Sequence, residues 1–187
     1  MSTKSDFAPV QWKKLAQAPL LSGFAVSAAD PSGFVGLLQE AFAEARALSE
    51  ARSQESVNAL IKSVAEELLT SSGRADAREG VRTVVQGAGL EQIKERALAA
   101  LRETAAILDA QAPADAKPFK EWLLKIARMV AEAGNEDTFL GFGGIRMSNK
   151  EKATLSELSH LLGLEPTDPG STGLGPSEPG QTETAQS

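Results

Sequence analysis

The chain has 187 residues, of which 42% are hydrophobic and 24% charged, and its formal net charge is −6 at neutral pH. This length and composition predict one globular domain, and the acidic charge gives no electrostatic footprint for binding nucleic-acid backbones. The sequence has no cysteine, which excludes disulfides, thiolate metal sites and cysteine nucleophiles and fits a reducing cytoplasm.

Residues 15–30 come closest to an export or membrane segment. Lys13 and Lys14 precede this stretch and it ends in "SAA", but Asp6 and the helical spacing that continues beyond it argue against a leader peptide. Polar residues and Pro19 interrupt it before it reaches the roughly 20 apolar residues that a membrane span requires. We therefore expect no transmembrane segment and a cytoplasmic location.

Residues that favour helices, chiefly alanine, leucine and glutamate, are abundant because they lose little rotamer freedom in a helix. Apolar residues recur at three- and four-residue steps along most of the chain. These patterns predict an all-α fold, a single bundle of six or seven helices over residues 8–164 after a frayed start at 1–7. In chain order, the helices are predicted at 8–29, 31–50, 53–71, 75–85, 90–110, 116–133 and 149–162.

Some of the predicted boundaries have specific signals. Pro19 predicts a kink or a break in the first helix, and Gly73 is available as a left-handed C-cap for the third. Residues 75–89 are compatible with either a short helix or a mobile loop. Ser148 and Glu151 have the spacing of a capping box at the start of the last helix.

Residues 165–187 differ from the rest of the chain in composition. They consist largely of proline, glycine, serine and threonine, with four acidic residues and no lysine or arginine. Such a segment cannot bury enough apolar surface to offset its ordering entropy, so we predict a disordered acidic C-terminal tail.

The stretch "FLGFGGIRMS", residues 139–148, is the main candidate binding site. Glycines let backbone N–H groups approach an anion closely, and a helix start carries partial positive charge. The candidate ligand or partner-binding residues are Gly141, Phe142, Gly143, Gly144, Arg146, Ser148 and Lys150. Their spacing matches no nucleotide-binding motif, and the stretch follows a helix instead of a strand. We favour the interpretation that the glycines only shape the backbone while apolar side chains such as Phe142 contact the bundle or another protein.

Residues suited to catalysis or metal binding form no recognisable constellation. His160 follows Glu157 at the Glu-x-x-His spacing of di-metal bundles, but a single histidine cannot supply the pair that such a site needs. We interpret His160 as a solvated histidine at a helix end. The acid pairs Glu66–Glu67 and Glu40–Glu44 are interpreted as solvated helix faces. We therefore expect no catalytic residue, no metal site and no cofactor.

Two features near the N-terminus have more than one interpretation. The small-residue stretch 23–36 indicates either close packing of the first two helices or a surface for a ligand or a second copy. Lys13 and Lys14, beside the apolar residues of the 8–29 helix, are compatible with peripheral association with a membrane.

Three stretches carry a resemblance to known proteins: "WKKLAQAPLLSGFAVSAADPSG" (12–33), "FKEWLLKIARMVAEA" (119–133) and "FLGFGGIRMSNKEKATLSEL" (139–158). They resemble a group of small bacterial helical proteins of unknown function. The resemblance covers roughly residues 8–164 and implies a bacterial, single-domain protein. It implies no activity, cofactor or site residue.

The sequence favours a non-enzymatic interaction protein, an adaptor or stress-associated factor, which acts through helix faces and the 139–148 loop. We expect a protein partner or self-association and no nucleic acid. An alternative is a protein or enzyme that binds a small anionic ligand at the helix start, residues 141–152. A weaker alternative is peripheral membrane association through the 8–29 helix.

Overall fold

The computed structural model describes residues 2–27, 58–133 and 147–164. These residues form six α-helices after a short 3₁₀ turn at Lys4–Asp6, and the described residues include no β-strand. Helices α1 to α6 span Pro9–Ser27, Ala59–Leu69, Ser71–Val85, Leu90–Gln111, Pro113–Ala133 and Asn149–Leu161. The all-α prediction is confirmed. The predicted helix at 31–50 and the predicted tail at 165–187 lie outside the described residues.

Helix α1 is the centre of the bundle and contacts all five of the other described helices. Its buried residues surround the helix axis and include Trp12, Leu15, Ala16, Ala18, Leu20, Leu21, Ala25 and Val26. From Leu15 to Ser27 nearly every residue of α1 is buried, which is expected of a helix at the centre of a fold. Pro19 is buried within α1, which continues to Ser27, so the helix does not split there. None of the described helices is long and apolar enough to cross a bilayer.

The directions of the helices define two ends of the bundle. Ser2 donates its backbone N–H to Asp115 at 2.7 Å, and a Cβ atom on Gly23 would lie 3.3 Å from Val130 Cγ2. Helix α5 therefore runs alongside α1 in the same direction. We call the end that contains Ser2 and the start of α1 the amino end. Gly23 thus packs closely against α5. The close packing predicted between the first two helices stays a prediction, because residues 28–36 lie outside the described residues.

The junction between α2 and α3 corrects one predicted boundary. Thr70 ends α2 and begins α3: its backbone N–H bonds the Glu67 carbonyl, and its Oγ accepts the N–H of Gly73 at 2.9 Å. Gly73 therefore lies in the first turn of α3, and the prediction of a left-handed C-cap there is wrong. Thr70 makes the turn with an extended backbone, which needs no glycine. The question left open for residues 75–89 is also answered, because α3 extends to Val85.

The α3–α4 and α4–α5 connections are short. Gly87, with φ of 69°, turns the chain between α3 and α4, as a residue with a left-handed backbone conformation can. Helix α5 begins at Pro113, three residues before its predicted start, because proline is well suited to the first position of a helix. Across the α4–α5 hairpin, the buried Lys120 bonds both carboxylate oxygens of Asp109, at 2.6 and 2.7 Å.

Candidate functional site

The site predicted from the sequence is described only in part. Gly141, Phe142, Gly143, Gly144 and Arg146 lie outside the described residues, whereas Ser148 and Lys150 lie within them. The predicted capping box is confirmed: Ser148 Oγ accepts the N–H of Glu151 at 3.2 Å, and Glu151 accepts the N–H of Ser148 at 2.8 Å. The side chain of Lys150 is exposed.

The capping box bears on anion binding at the start of α6. Glu151 is only 6% exposed, so its carboxylate lies against the positive end of this helix. A phosphate or carboxylate ligand seeks the same position, because the free N–H groups and the helix dipole both favour negative charge there. An anionic ligand at this helix start would have to displace Glu151 or lie beside it.

The described surface has a cleft at the amino end. It has a volume of about 280 Å³ and lies between the 3₁₀ turn, the start of α1, the end of α2 and the first half of α3. Its apolar lining consists of Phe7, Pro9, Trp12, Ala16 and Ala77. None of these residues belongs to the 139–148 loop. Because the cleft is lined by four separate elements, it exists only once the bundle has folded.

The wall of the cleft that residues 2–7 form is held by specific hydrogen bonds. Thr3 donates its backbone N–H to Asp6 at 2.7 Å, which closes the 3₁₀ turn. Ser2 bonds Asp115 at 2.7 Å, which ties this segment to the start of α5. Phe7 is buried, with its ring centroid 6.3 Å from that of Trp12. The aromatic side of the cleft is therefore fixed at both ends of the turn.

An ion pair against an aromatic ring lies within this cleft. Lys4 Nζ is 2.7 Å from Glu67 Oε2 and 5.7 Å from the centroid of the Trp12 ring. The indole Nε1–H of Trp12 also points to Glu67 Oε2, at a longer 3.4 Å. The side chain of Glu67 is 24% exposed and that of Lys4 is 60% exposed. Glu67 thus receives a cation and a neutral donor at the mouth of the cleft.

These contacts revise the interpretation of the acid pairs. Glu66 is exposed, as a solvated helix face requires, but Glu67 is half-buried and bonded to Lys4. For Glu67 the predicted solvated face is therefore wrong. The reason is tertiary: the 3₁₀ turn and the start of α1 bring Lys4 and Trp12 to α2 across more than fifty residues of sequence. Glu40 and Glu44 lie outside the described residues.

Small residues on α3 allow it to lie close to α1 and α2 below the cleft. A Cβ atom on Gly73 would overlap the backbone carbonyl of Glu67, and one on Gly80 would meet the side-chain amide of Gln17. Ala77, between them, is buried. Gly73, Ala77 and Gly80 follow one another at helical spacing, so they share one face of α3. This spacing is visible in the sequence and is the signal that the sequence analysis missed.

Two charged residues at the rim of the cleft have no ion-pair partner within the described residues: Lys13 and Asp76. Both are exposed. Lys14, the other lysine considered for membrane contact, pairs with Glu103 at 2.7 Å. Most apolar residues of α1 are buried in the bundle, with Val10 exposed at 68%. Membrane association through α1 stays a prediction that this packing does not favour.

The fold does not bring the remaining candidates for catalysis or metal binding together in one site. His160 is exposed in the last turn of α6, as predicted, and Glu157 pairs with Lys94 at 3.3 Å. In the described ranges, no group of three or more histidine, aspartate or glutamate side chains is placed to hold a metal ion.

The buried carboxylate of Asp115 supports the amino end. Asp115 is 4% exposed and accepts hydrogen bonds from the Ser2 N–H and from Asn58 Nδ2, both at 2.7 Å. Burial by itself raises the pKa of Asp115, but the hydrogen bonds from Ser2 and Asn58 outweigh it and hold this pKa below its ordinary value. Asn58 in turn caps α2 by accepting from the N–H groups of Leu60 and Ile61. The network joins the N-terminal segment, α2 and α5.

Comparison of the chain with family models, with curated proteins and with solved structures found no match. The likeness to small bacterial helical proteins therefore stays an expectation. The described residues form an all-α bundle with an aromatic, charge-lined cleft at one end.

Proposed function

We propose that this chain is a non-enzymatic helical interaction protein that receives a side chain of a partner protein in the cleft at the amino end. The cleft itself is the observation that carries the proposal: an open concavity, walled by Phe7 and Trp12, with charged groups at its mouth. Binding hot spots in protein interfaces are typically aromatic or charged anchors that fill such pockets.

The size of the cleft supports a side-chain anchor over a large cofactor. A volume of about 280 Å³ is near the lower end of the ~300–1,000 Å³ that small-molecule and cofactor sites usually occupy. One long side chain fits a space of this size, with the rest of the partner lying across the rim. Lys13 and Asp76 would then meet polar groups of the partner around the anchor.

The proposal includes the expected type of protein, its expected location and its expected partner. An adaptor or stress-associated factor in a bacterial cytoplasm agrees with the lack of cysteine and with the resemblance stated above. Self-association is one form of the same activity, with a second copy as the partner. The alternative of a small anionic ligand at residues 141–152 stays a prediction. Loss of ligand-induced thermal stabilisation in an Arg146→Ala variant would test it.

Native mass spectrometry of the untagged full-length chain from its own host cells tests the proposed function. We expect a complex with a second polypeptide or a second copy, and we expect Lys13→Glu and Asp76→Lys to weaken it. Lys125→Glu is the matched control, since Lys125 is an exposed helical lysine that does not line the cleft. A bare monomer mass, or a complex that survives both rim variants, would contradict the proposal.

A further inference from the structure

Lys4 lies in the cleft as a bound cation would. Its ammonium is 5.7 Å from the centroid of the Trp12 ring and 2.7 Å from the carboxylate of Glu67, and Phe7 lines the same cleft. An aromatic face combined with a carboxylate is the chemistry that proteins use to bind alkylammonium groups, because the ring quadrupole and the negative charge both attract the cation. The geometry of a cation site is therefore already present, with one of the chain's own side chains inside it.

The contacts of Lys4 with Trp12 and Glu67 are made by its ammonium group. The 3₁₀ turn of Lys4–Asp6 is closed by the hydrogen bonds between Thr3 and Asp6, and the segment is anchored by Ser2 to Asp115. Rotation of the Lys4 side chain into solvent breaks none of these bonds. With 60% of that side chain already exposed, Lys4 can leave the cleft without unfolding the turn.

We propose that Lys4 is an internal occupant of a cation-binding site, and that the partner's anchor is a lysine-type alkylammonium group that displaces it onto Trp12 and Glu67. This inference rests on the proposed function and names the chemistry of the partner. The incoming ammonium takes over both contacts of Lys4, so Glu67 stays paired while the displaced ammonium of Lys4 is hydrated by solvent.

The charges of the cleft favour a cation over the other anchors. With Lys4 rotated out, the lining carries the carboxylates of Glu67 and Asp76 against the single ammonium of Lys13. An anionic anchor would lie beside Glu67 and be repelled. A purely apolar anchor would cover the half-buried carboxylate of Glu67 without pairing it, which is unfavourable. A lysine side chain offers an apolar stem for the aromatic wall and an ammonium for Glu67.

Competition with Lys4 has a measurable consequence. A site that is occupied internally for most of the time binds an external ligand more weakly, in proportion to the fraction that is free. An exposed ion pair and a cation–π contact together hold Lys4 strongly enough that its removal should tighten binding of an external cation about 3- to 30-fold. Lys14→Gln is the matched control, because Lys14 has an ion pair of the same 2.7 Å length outside the cleft.

The two tryptophans give separate NMR signals for the test. Trp12 reports on the cleft, and Trp122, which is buried in α5 and does not line the cleft, serves as the internal reference for the fold. The full-length chain is labelled with ¹⁵N and titrated with millimolar acetyl-Gly-Lys-Gly-amide, or with the same peptide carrying norleucine, a neutral analogue of lysine. Salt is matched throughout, since exposed charges are screened.

We expect the lysine peptide to move the Trp12 indole signal in the wild type and to bind about 3- to 30-fold more tightly to Lys4→Gln. Binding to Lys14→Gln should be unchanged, and Glu67→Gln should lose it while the Trp122 signal stays in place. Equal affinities for the wild type and Lys4→Gln, or equal binding of the norleucine peptide, would overturn the inference, as would no binding to Lys4→Gln.

The proposed function is tested separately by the rim variants Lys13→Glu and Asp76→Lys. If they weaken the native complex, the proposed function stands even when the lysine inference fails. If they do not weaken it, the proposed function fails as well.

Discussion

The start of α6 and the cleft at the amino end arrange their polar groups in opposite ways. At the start of α6, Ser148 and Glu151 satisfy each other through reciprocal hydrogen bonds, and Glu151 is 6% exposed. In the cleft, the ion pair of Lys4 with Glu67 joins elements distant in sequence, and Lys13 and Asp76 have no ion-pair partner in the described part of the chain. The capping groups at the start of α6 bond each other, whereas the rim of the cleft keeps charged groups that an external partner can use.

The comparison shows that glycine and a helix start in the sequence do not by themselves locate a binding site. The capping box that begins the helix after the glycines also supplies Glu151, the carboxylate that lies at that helix start. The glycines that matter for the cleft, Gly73 and Gly80, act by letting helices approach closely. Substitutions in the two regions test this difference.

Gly73→Ala should cause the largest loss of stability among these variants. The added Cβ would overlap the carbonyl oxygen of Glu67 and lie 2.8 Å from its carbonyl carbon, and backbone cannot move aside cheaply. We expect a loss of about 2–4 kcal/mol in the free energy of unfolding, measured by urea denaturation.

Gly80→Ala is the matched control for this prediction. Its Cβ would meet the far end of the flexible Gln17 side chain, which can rotate away. Alanine also has a helix propensity about 1 kcal/mol better than glycine, so the net change should stay within about 1 kcal/mol of zero. Equal losses for the two variants would contradict the packing described for α3.

Asp115→Asn should destabilise the amino end by about 2–3 kcal/mol at neutral pH, because a charged acceptor of two hydrogen bonds is replaced by a neutral amide. The pKa of Asp115 is lower in the folded chain than its ordinary value of 3.8, so the unfolded chain binds the proton more readily. The stabilisation is therefore present above pH ~4 and is lost as the pH falls through the folded pKa.

The measurement is the free energy of unfolding of wild type and Asp115→Asn at a series of pH values. The difference between the two proteins should shrink as the pH drops below the ordinary pKa of aspartate. A difference that stays constant down to strongly acidic pH would show that the charge of Asp115 does not contribute.

Ser148→Ala should remove the side-chain acceptor at the start of α6 and cost about 1 kcal/mol in thermal or urea unfolding. Ser148→Asp is the control, since aspartate is an equally good N-cap residue. The alanine variant should leave the native complex of the proposed function intact, because Ser148 does not line the cleft. Loss of the complex in this variant would move the binding site toward the loop predicted from the sequence.

Lys4→Gln should have the smallest effect on stability, at most about 1 kcal/mol, because its ion pair is exposed to solvent and screened by salt. The circular dichroism spectrum and the melting temperature should hardly change. A large loss of stability would contradict the description of Lys4 as a side chain that leaves the cleft without unfolding the turn.

The helices and many of the core positions could be predicted because apolar periodicity is a local property. Helix α4 begins at Leu90 as predicted, and the capping box of α6 follows directly from four residues. The boundary at Gly73 was missed because Thr70 satisfies the same groups without a left-handed residue. Local sequence indicates where the backbone groups at a helix end need hydrogen-bond partners. It does not indicate which residue supplies those partners, because several residue types can do so.

The cleft could not be predicted because its residues meet only through tertiary packing. Lys4, Trp12 and Glu67 come from three separate elements, and nothing in their local sequence joins them. One indirect signal was present, the small residues Gly73, Ala77 and Gly80 at helical spacing, which indicate a close helix contact. A close helix contact, however, does not indicate which charged and aromatic side chains line the neighbouring cleft.

Amide hydrogen exchange of the complex isolated from host cells, compared with the purified chain, would locate the partner on the bundle. If the partner occupies the cleft, short labelling times should show slower exchange in segments 3–16 and 67–77 and no change at 147–152. Slower exchange at 147–152 with no change in the other two segments would contradict the account. The partner would then bind at the start of α6, as the sequence alone suggested.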